Sequence, residues 1–369
     1  MRVNIDQLEP GCILSEDIFL RTTMPLMRKK TVLTEENIHI LKTFLVETAA
    51  VETKLINGKP FKPSKTIVDE KEKKKKQDEK PVTKTVAEQP FIDRYLEAVQ
   101  KYKQLFITWQ SGIKVDIWAV RQLFLNVFTE NRPSKYELSQ LHHYGTKTDY
   151  HYYHAVSVAI LSASLGEKLN LSSGDIIQLG ISGLLADCGM SKVPPKILNK
   201  KGSLTESENK EIKKHPLYSY QMLKDLPGIS QNALQGVLQH HERLDGSGYP
   251  MGYQVDVIHH YAKIISVCDM YHAMTTERHY RSKQLPFKVL EQLHKDEFGK
   301  LDPIIVEKFI SIINTISIGS QVRLTNGYLA EVIYVDQKEQ MRPLVRLENG
   351  EMLDLKSETN EYIAEVIKQ

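Results

Sequence analysis

His240-His241-Glu242-Arg243-Leu244-Asp245-Gly246-Ser247-Gly248-Tyr249-Pro250 is the stretch from which the rest of the chain can be read. Leu234, Val237 and Leu238 just before it recur at helical spacing, and His241 is next on that apolar stripe. Two adjacent imidazoles therefore end a helix with one of them aimed inward. Glycine and proline then turn the chain sharply. A lone histidine on a core-facing stripe is ordinarily a hydrogen-bonded packing residue. Here the feature recurs, because eleven of the 13 histidines lie between His142 and His279.

The same pattern extends outward in both directions. His154 heads a stripe continued by Val158, Leu161, Leu165 and Leu169. Asp187 follows Leu184-Leu185-Ala186, and Asp269 lies inside Ile264-Ile265-Ser266-Val267-Cys268-Asp269-Met270. A carboxylate in so apolar a helix must be paired or bind a cation, since burying it alone is costly. His215 precedes Pro216 at a helix boundary. Imidazole plus carboxylate with no thiolate suits divalent Fe, Mn, Zn or Ni. Ligands on separate helices can converge inside a bundle. One or two such ions, one carboxylate bridging them, suit phosphodiester hydrolysis.

The stretch from His240 to Pro250 resembles the signature of the HD-GYP family, within the HD superfamily of metal-dependent phosphohydrolases. The likeness extends over residues 136–315. It takes in Asp149-Tyr150 before His154-Ala155-Val156-Ser157-Val158-Ala159, then Leu184 to Met190. Lys201-Gly202-Ser203-Leu204-Thr205-Glu206-Ser207-Glu208, His215-Pro216 and Arg278-His279-Tyr280-Arg281 follow. The resemblance implies a cyclic di-GMP phosphodiesterase that produces a linear dinucleotide or GMP. It implies His154, Asp187, His215, His240, His241 and Asp269 as metal ligands, with Asp187 the bridging, catalytic carboxylate. It implies Arg278 and Arg281 as phosphate-binding residues, for which guanidinium is suited, and Tyr249 beside the substrate. The sequence departs from the family at two places. Ala186 stands where the family has the histidine of its His-Asp pair, and Met190 where it has a lysine. One ion would then keep Asp187, His154 and Asp269, and the other Asp187, His215, His240 and His241. The expectation is a phosphodiesterase of weakened activity. The alternatives are a degenerate member that binds cyclic di-GMP or a signalling partner without turnover, and a helical scaffold.

The expected fold is mainly α, an HD-type helical bundle flanked by a small N-terminal α+β domain and a small C-terminal antiparallel β-domain. Residues 1–62 mix short apolar runs and turns, with Thr34 starting a helix that carries Ile38, Ile40-Leu41 and Phe44-Leu45. Residues 63–90, with Lys71 to Lys80 almost wholly charged, read as a flexible linker rather than a basic patch, because Glu and Asp are interleaved. Residues 91–135 are connecting helices whose apolar faces could also support a homodimer. Residues 136–315 are the helical domain. From residue 316 to 369, Asn326-Gly327 and Asn349-Gly350 separate strand-like runs as hairpin turns do.

Composition excludes several classes. A net charge of +3 over 369 residues is too small for a dedicated DNA-binding protein. Three cysteines, widely spaced, make neither a disulfide framework nor a thiolate zinc site. There is no run of ~18 apolar residues to span a membrane, and Met1-Arg2-Val3-Asn4 does not open a signal peptide. The expected compartment is the cytoplasm.

Overall fold

The computed structural model describes residues 1–19, 25–43, 46–63, 66–67, 90–129, 132–200, 202–277, 283–295, 299–336, 339–358 and 360–368. The chain divides into two units, Met1–Lys101 with Thr129–Asn131, and Tyr102–Phe128 with Arg132–Gln369.

The first unit carries β1 (Arg2–Asn4), β2 (Ile18–Phe19), β3 (Pro25–Met27), α1 (Glu35–Thr43), β4 (Thr48–Ala50) and β5 (Thr66–Ile67). The antiparallel sheet has the order β4-β1-β5, and β2 and β3 form a separate pair. The Thr34 hydroxyl accepts the Asn37 amide at 3.2 Å and so caps α1, as the sequence leads one to expect. Phe44 and Leu45 lie outside the described residues. Val3, Ile5, Leu14, Leu33, Leu41 and Val51 form the centre of this unit's own apolar core. Within the segment read as a linker, Thr66–Ile67 pairs with β1, and residues 68–89 lie outside the described residues.

The helices that follow are α2 (Phe91–Gln110), α3 (Ile117–Phe128), α4 (Lys135–Gln140), α5 (Tyr150–Lys168), α6 (Ser173–Leu185), α7 (Pro195–Leu198), α8 (Glu206–Ile212), α9 (His215–Leu223), α10 (Gln231–Gln239), α11 (His260–Thr275), α12 (Pro286–Lys295) and α13 (Pro303–Ile313). Their starts are chemically marked. Ser134, Ser172, Thr205, Ser230 and Asp302 each accept a backbone amide from the first turn, satisfying donors that have no partner within the helix. Helix α5 is the centre of the bundle. It is buried on all sides from Tyr153 to Gly166, as expected of a helix enclosed by others. Ala155, Ser157, Ala159, Ser162 and Ala163 keep its girth small, and it packs against α6 and α11. No helix among the described residues is long and apolar enough to cross a membrane.

The chain then forms β6 (Gln321–Leu324), β7 (Leu329–Tyr334), β8 (Leu344–Leu347), β9 (Met352–Asp354) and β10 (Ile363–Lys368). They make one antiparallel sheet in the order β10-β6-β7-β8-β9, and the two Asn-Gly turns join β6 to β7 and β8 to β9. Strand β10 had no sequence signal of its own. It pairs with β6, not with its chain neighbour β9, and Arg323 Nε meets Glu365 Oε1 across the pair at 3.2 Å. Arg342, 6% exposed, holds the carbonyls of Glu358 and Glu361 on one side and the Glu291 carboxylate of α12 on the other. That link fastens the sheet to the helices.

Candidate metal centre

Five elements of the helical unit deliver side chains to one place. Helix α6 ends at Leu185, Ala186 closes it, and the chain turns tightly through Cys188–Lys192. Gly189 allows this turn to lie on α9, because a side chain there would collide with the His215 carbonyl and the Ser219 amide. The Ser219 hydroxyl fastens the contact, accepting from the Gly189 amide at 2.8 Å and donating to the Ala186 carbonyl at 2.7 Å. Asp187 is thereby set directly against His215, the first residue of α9.

His215 and His240 are oriented in the same way. His215 Nδ1 lies 2.8 Å from the Ile212 carbonyl, and His240 Nδ1 lies 2.7 Å from the Val237 carbonyl. A carbonyl can only accept, so the proton of each ring is on Nδ1. In the neutral rings, both Nε2 atoms then present lone pairs. They face each other at 3.3 Å, with Asp187 Oδ1 at 3.0 Å from His215 and 3.6 Å from His240. That oxygen is sealed from solvent and receives no well-formed hydrogen bond among the described residues. Three electron-rich atoms so close together need positive charge among them, as a proton or a metal ion. The donor set therefore fits a metal ion, and the outward Nδ1 bonds are the kind that hold ligating histidines in place.

His241 completes the group Asp187–His215–His240–His241, and a second group, His154–Asp187–Asp269, shares Asp187 with it. In the second group His154 Nε2 lies 2.8 Å from Asp269 Oδ1 and 3.8 Å from Asp187 Oδ2. Burial works against ionisation of Asp187 and Asp269. With a proton on the facing nitrogen, His215, His240 and His154 nevertheless hold Asp187 well below the usual carboxylate range, and His154 does the same for Asp269. Burial and the adjacent His240 hold His241 well below the usual imidazole range, the neutral form that can ligate.

The loop after His241 is folded back onto it. The Tyr249 amide donates to the His241 carbonyl at 3.1 Å, and the Tyr249 ring lies over the His241 ring at 4.6 Å. Glu242, 2% exposed, accepts the Met251 and Tyr253 amides at 2.7 and 3.0 Å. Arg243 reaches Ser266 of α11 at 2.7 Å. Beside the ligands opens a cavity of about 490 Å³, walled by Tyr249, Met190, Lys200, Ser203 and Asn209 among others. Ala186 is 4% exposed and offers no ligand atom. Arg278 and Arg281 lie outside the described residues.

Residues 135–305 match the family model described as "HD domain". This segment is similar to an HD domain. Its His240-to-Pro250 stretch resembles the signature of the HD-GYP family. The HD domain region is similar to the cyclic di-GMP phosphodiesterase PA4108 of Pseudomonas aeruginosa, 33% identical over 55% of this chain and 49% of that one. Cyclic di-GMP phosphodiesterase PdeB of Borreliella burgdorferi is 29% identical over 56% of this chain and 55% of that one. The 3'3'-cGAMP-specific phosphodiesterase 1 of Vibrio cholerae is 33% identical over 44% of this chain and 38% of that one. The chain thus spans about half or less of the length of these relatives.

Three contributors to the site were given no role by the sequence, although Tyr150 and Glu242 lie inside the stretches quoted above. Tyr150 OH and His272 Nδ1 each lie 3.0 Å from His154 Nδ1, and Glu242 pins the loop. Tyr150 is four residues before His154, and His272 three after Asp269. Both spacings put the pair on one helix face, which is the signal that could have found them.

Proposed function

We propose that this chain is a metal-dependent phosphodiesterase that opens a cyclic dinucleotide, cyclic di-GMP in the first instance, at the centre around Asp187. One observation carries the reading: a single carboxylate serves both ligand groups, Oδ1 toward His215 and His240, Oδ2 toward His154. The relatives support the substrate class, since those named above act on cyclic di-GMP or 3'3'-cGAMP.

His215, His240, His241 and Asp187 would hold one ion of Fe, Mn, Zn or Ni. His154, Asp269 and Asp187 would hold a second more loosely. When bound, such ions polarise a phosphoryl oxygen and ease deprotonation of water. The chain's own residues do the rest. The cavity of about 490 Å³ is of the size that takes a ligand. Tyr249 forms part of its wall against His241, Lys200 lines it with its ammonium paired to Glu208 at 2.6 Å, and Met190 brings no charge. Arg278 and Arg281 are proposed to pair with the substrate phosphates. Hydrolysis adds water across one P–O bond and opens the ring.

Ala186 and Met190 favour a second reading, binding without turnover, because a ligand and a positive charge are both missing. The deciding experiment measures metal per chain after dialysis against Mn or Fe, alongside cyclic di-GMP hydrolysis, for wild type and His241→Ala. Bound metal that falls in His241→Ala, together with slow hydrolysis, supports the first reading. Bound metal and nucleotide without hydrolysis supports the second. A wild type free of metal overturns both.

A further inference from the structure

The His154–Asp187–Asp269 group has one imidazole among the described residues, and Ala186 cannot add another. Whether it can hold an ion therefore depends on the state of His154. A neutral histidine ligates through the nitrogen that lacks the proton, so the proton must sit on the other one. His154 Nε2 faces the two carboxylates, and its Nδ1 faces away from them toward two buried groups, Tyr150 OH and His272 Nδ1, each at 3.0 Å. A hydroxyl and an imidazole nitrogen can each donate or accept. A phenol is the stronger donor and an imidazole lone pair the stronger acceptor, so these neighbours favour opposite tautomers. With the proton on Nε2, that nitrogen donates to Asp269 while Nδ1 accepts from the Tyr150 hydroxyl. With the proton on Nδ1, it donates to His272 Nδ1, and the Nε2 lone pair is open toward Asp187 and Asp269.

We propose that His272 is a positioning residue for the second ion. It accepts the His154 Nδ1 proton and so holds His154 in the ligating tautomer, whereas Tyr150 supports the tautomer that cannot ligate. The inference rests on the metal-dependent reading given above and assigns to one buried side chain the task of compensating for Ala186. The His272 ring is fully buried near the end of α11, with the Thr276 hydroxyl 3.4 Å from its Nδ1 and 3.5 Å from its Nε2.

The test is a chelator competition that resolves the first and second Mn or Zn dissociation constants. It is run on wild type, His272→Leu, His272→Asn and Tyr150→Phe, with the metal-free melting temperature of each. His272→Leu removes the acceptor and should weaken the second ion by about 10–100-fold, the usual loss when a bound histidine loses its outer hydrogen-bond partner. His272→Asn offers an amide oxygen near the position of Nδ1 and should recover most of that loss. Tyr150→Phe should leave the second constant unchanged or tighten it. Nitrogen-15 spectra of the loaded wild type should show His154 protonated on Nδ1, which needs no variant to fold.

Equal losses in His272→Leu and Tyr150→Phe, tracking their melting temperatures, would mean that both residues only pack, and would overturn the assignment. So would His154 protonated on Nε2 in loaded protein, or a single ion per chain at saturating metal. Wild type that binds no ion at all would overturn the metal-dependent reading and this inference together. Two ions bound with His272→Leu indistinguishable from wild type would overturn this inference alone.

Discussion

Gly248→Ala should damage the centre without touching a ligand. A Cβ at Gly248 would stand 2.5 Å from the His241 carbonyl oxygen and closer still to Glu242 Cα and Arg243 N. Ordinary contact needs ~3.5 Å, so the loop must retreat by about 1 Å. The opposing atoms are backbone of the turn just beyond α10, and they cannot yield without moving His241. The retreat breaks the 3.1 Å hydrogen bond from the Tyr249 amide to the His241 carbonyl, worth ~1 kcal/mol, and crowding adds ~1–3 kcal/mol. A total of about 2–4 kcal/mol corresponds to a fall in melting temperature of roughly 5–15 °C for a domain of this size. A shift of ~1 Å in a reacting group costs on the order of 100-fold in rate. The assay compares calorimetric melting, metal content and cyclic di-GMP hydrolysis with those of Gly202→Ala, where a Cβ meets nothing within 4 Å. Gly202→Ala should match wild type. If Gly248→Ala also melts and turns over like wild type, the close approach of this loop does not shape the centre.

Three further outcomes are expected. Ala186→His with Met190→Lys should raise both metal content and hydrolysis rate, and Ala186→His alone should restore metal more than turnover; quantitation of metal beside the hydrolysis rate checks this, and no metal gain in the double variant would count against it. Arg278→Ala with Arg281→Ala should weaken cyclic di-GMP binding by calorimetry by about 3 kcal/mol or more, since each charge-assisted contact is worth ~1.5–3 kcal/mol, and unchanged affinity would remove both residues from the site. Glu208 should titrate in the folded protein near pH 2, because Lys200 at 2.6 Å and the Thr205 amide favour its charged form. A depressed carboxyl pKa contributes stability that is present above its ordinary value of 4.5 and lost as pH falls toward 2. Carboxyl NMR titration should show Lys200→Met moving the midpoint upward.

Local chemistry and periodicity already determined a good deal. Apolar stripes at helical spacing, such as Val158 to Leu165, require a helical core whatever its neighbours do. Asn326-Gly327 and Asn349-Gly350 require turns because their backbone preferences are local. The run from His240 to Pro250 resembles a family signature, and that resemblance named candidate ligands as a set. How those candidates share space was not written locally. His154 and Asp269 are 115 positions apart and meet at 2.8 Å, and their approach depends on how α5, α6 and α11 pack. The resemblance already implied that Asp187 serves both groups, but only that packing brings its two oxygens between them, with Gly189 and Ser219 setting its turn against α9. The same holds for β10, whose partner β6 lies about forty residues back along the chain, and for Tyr150 and His272, which acquire a role only through the ring between them. A side chain's tautomer, charge and reach are set by what surrounds it in space, and most of those neighbours are distant in sequence.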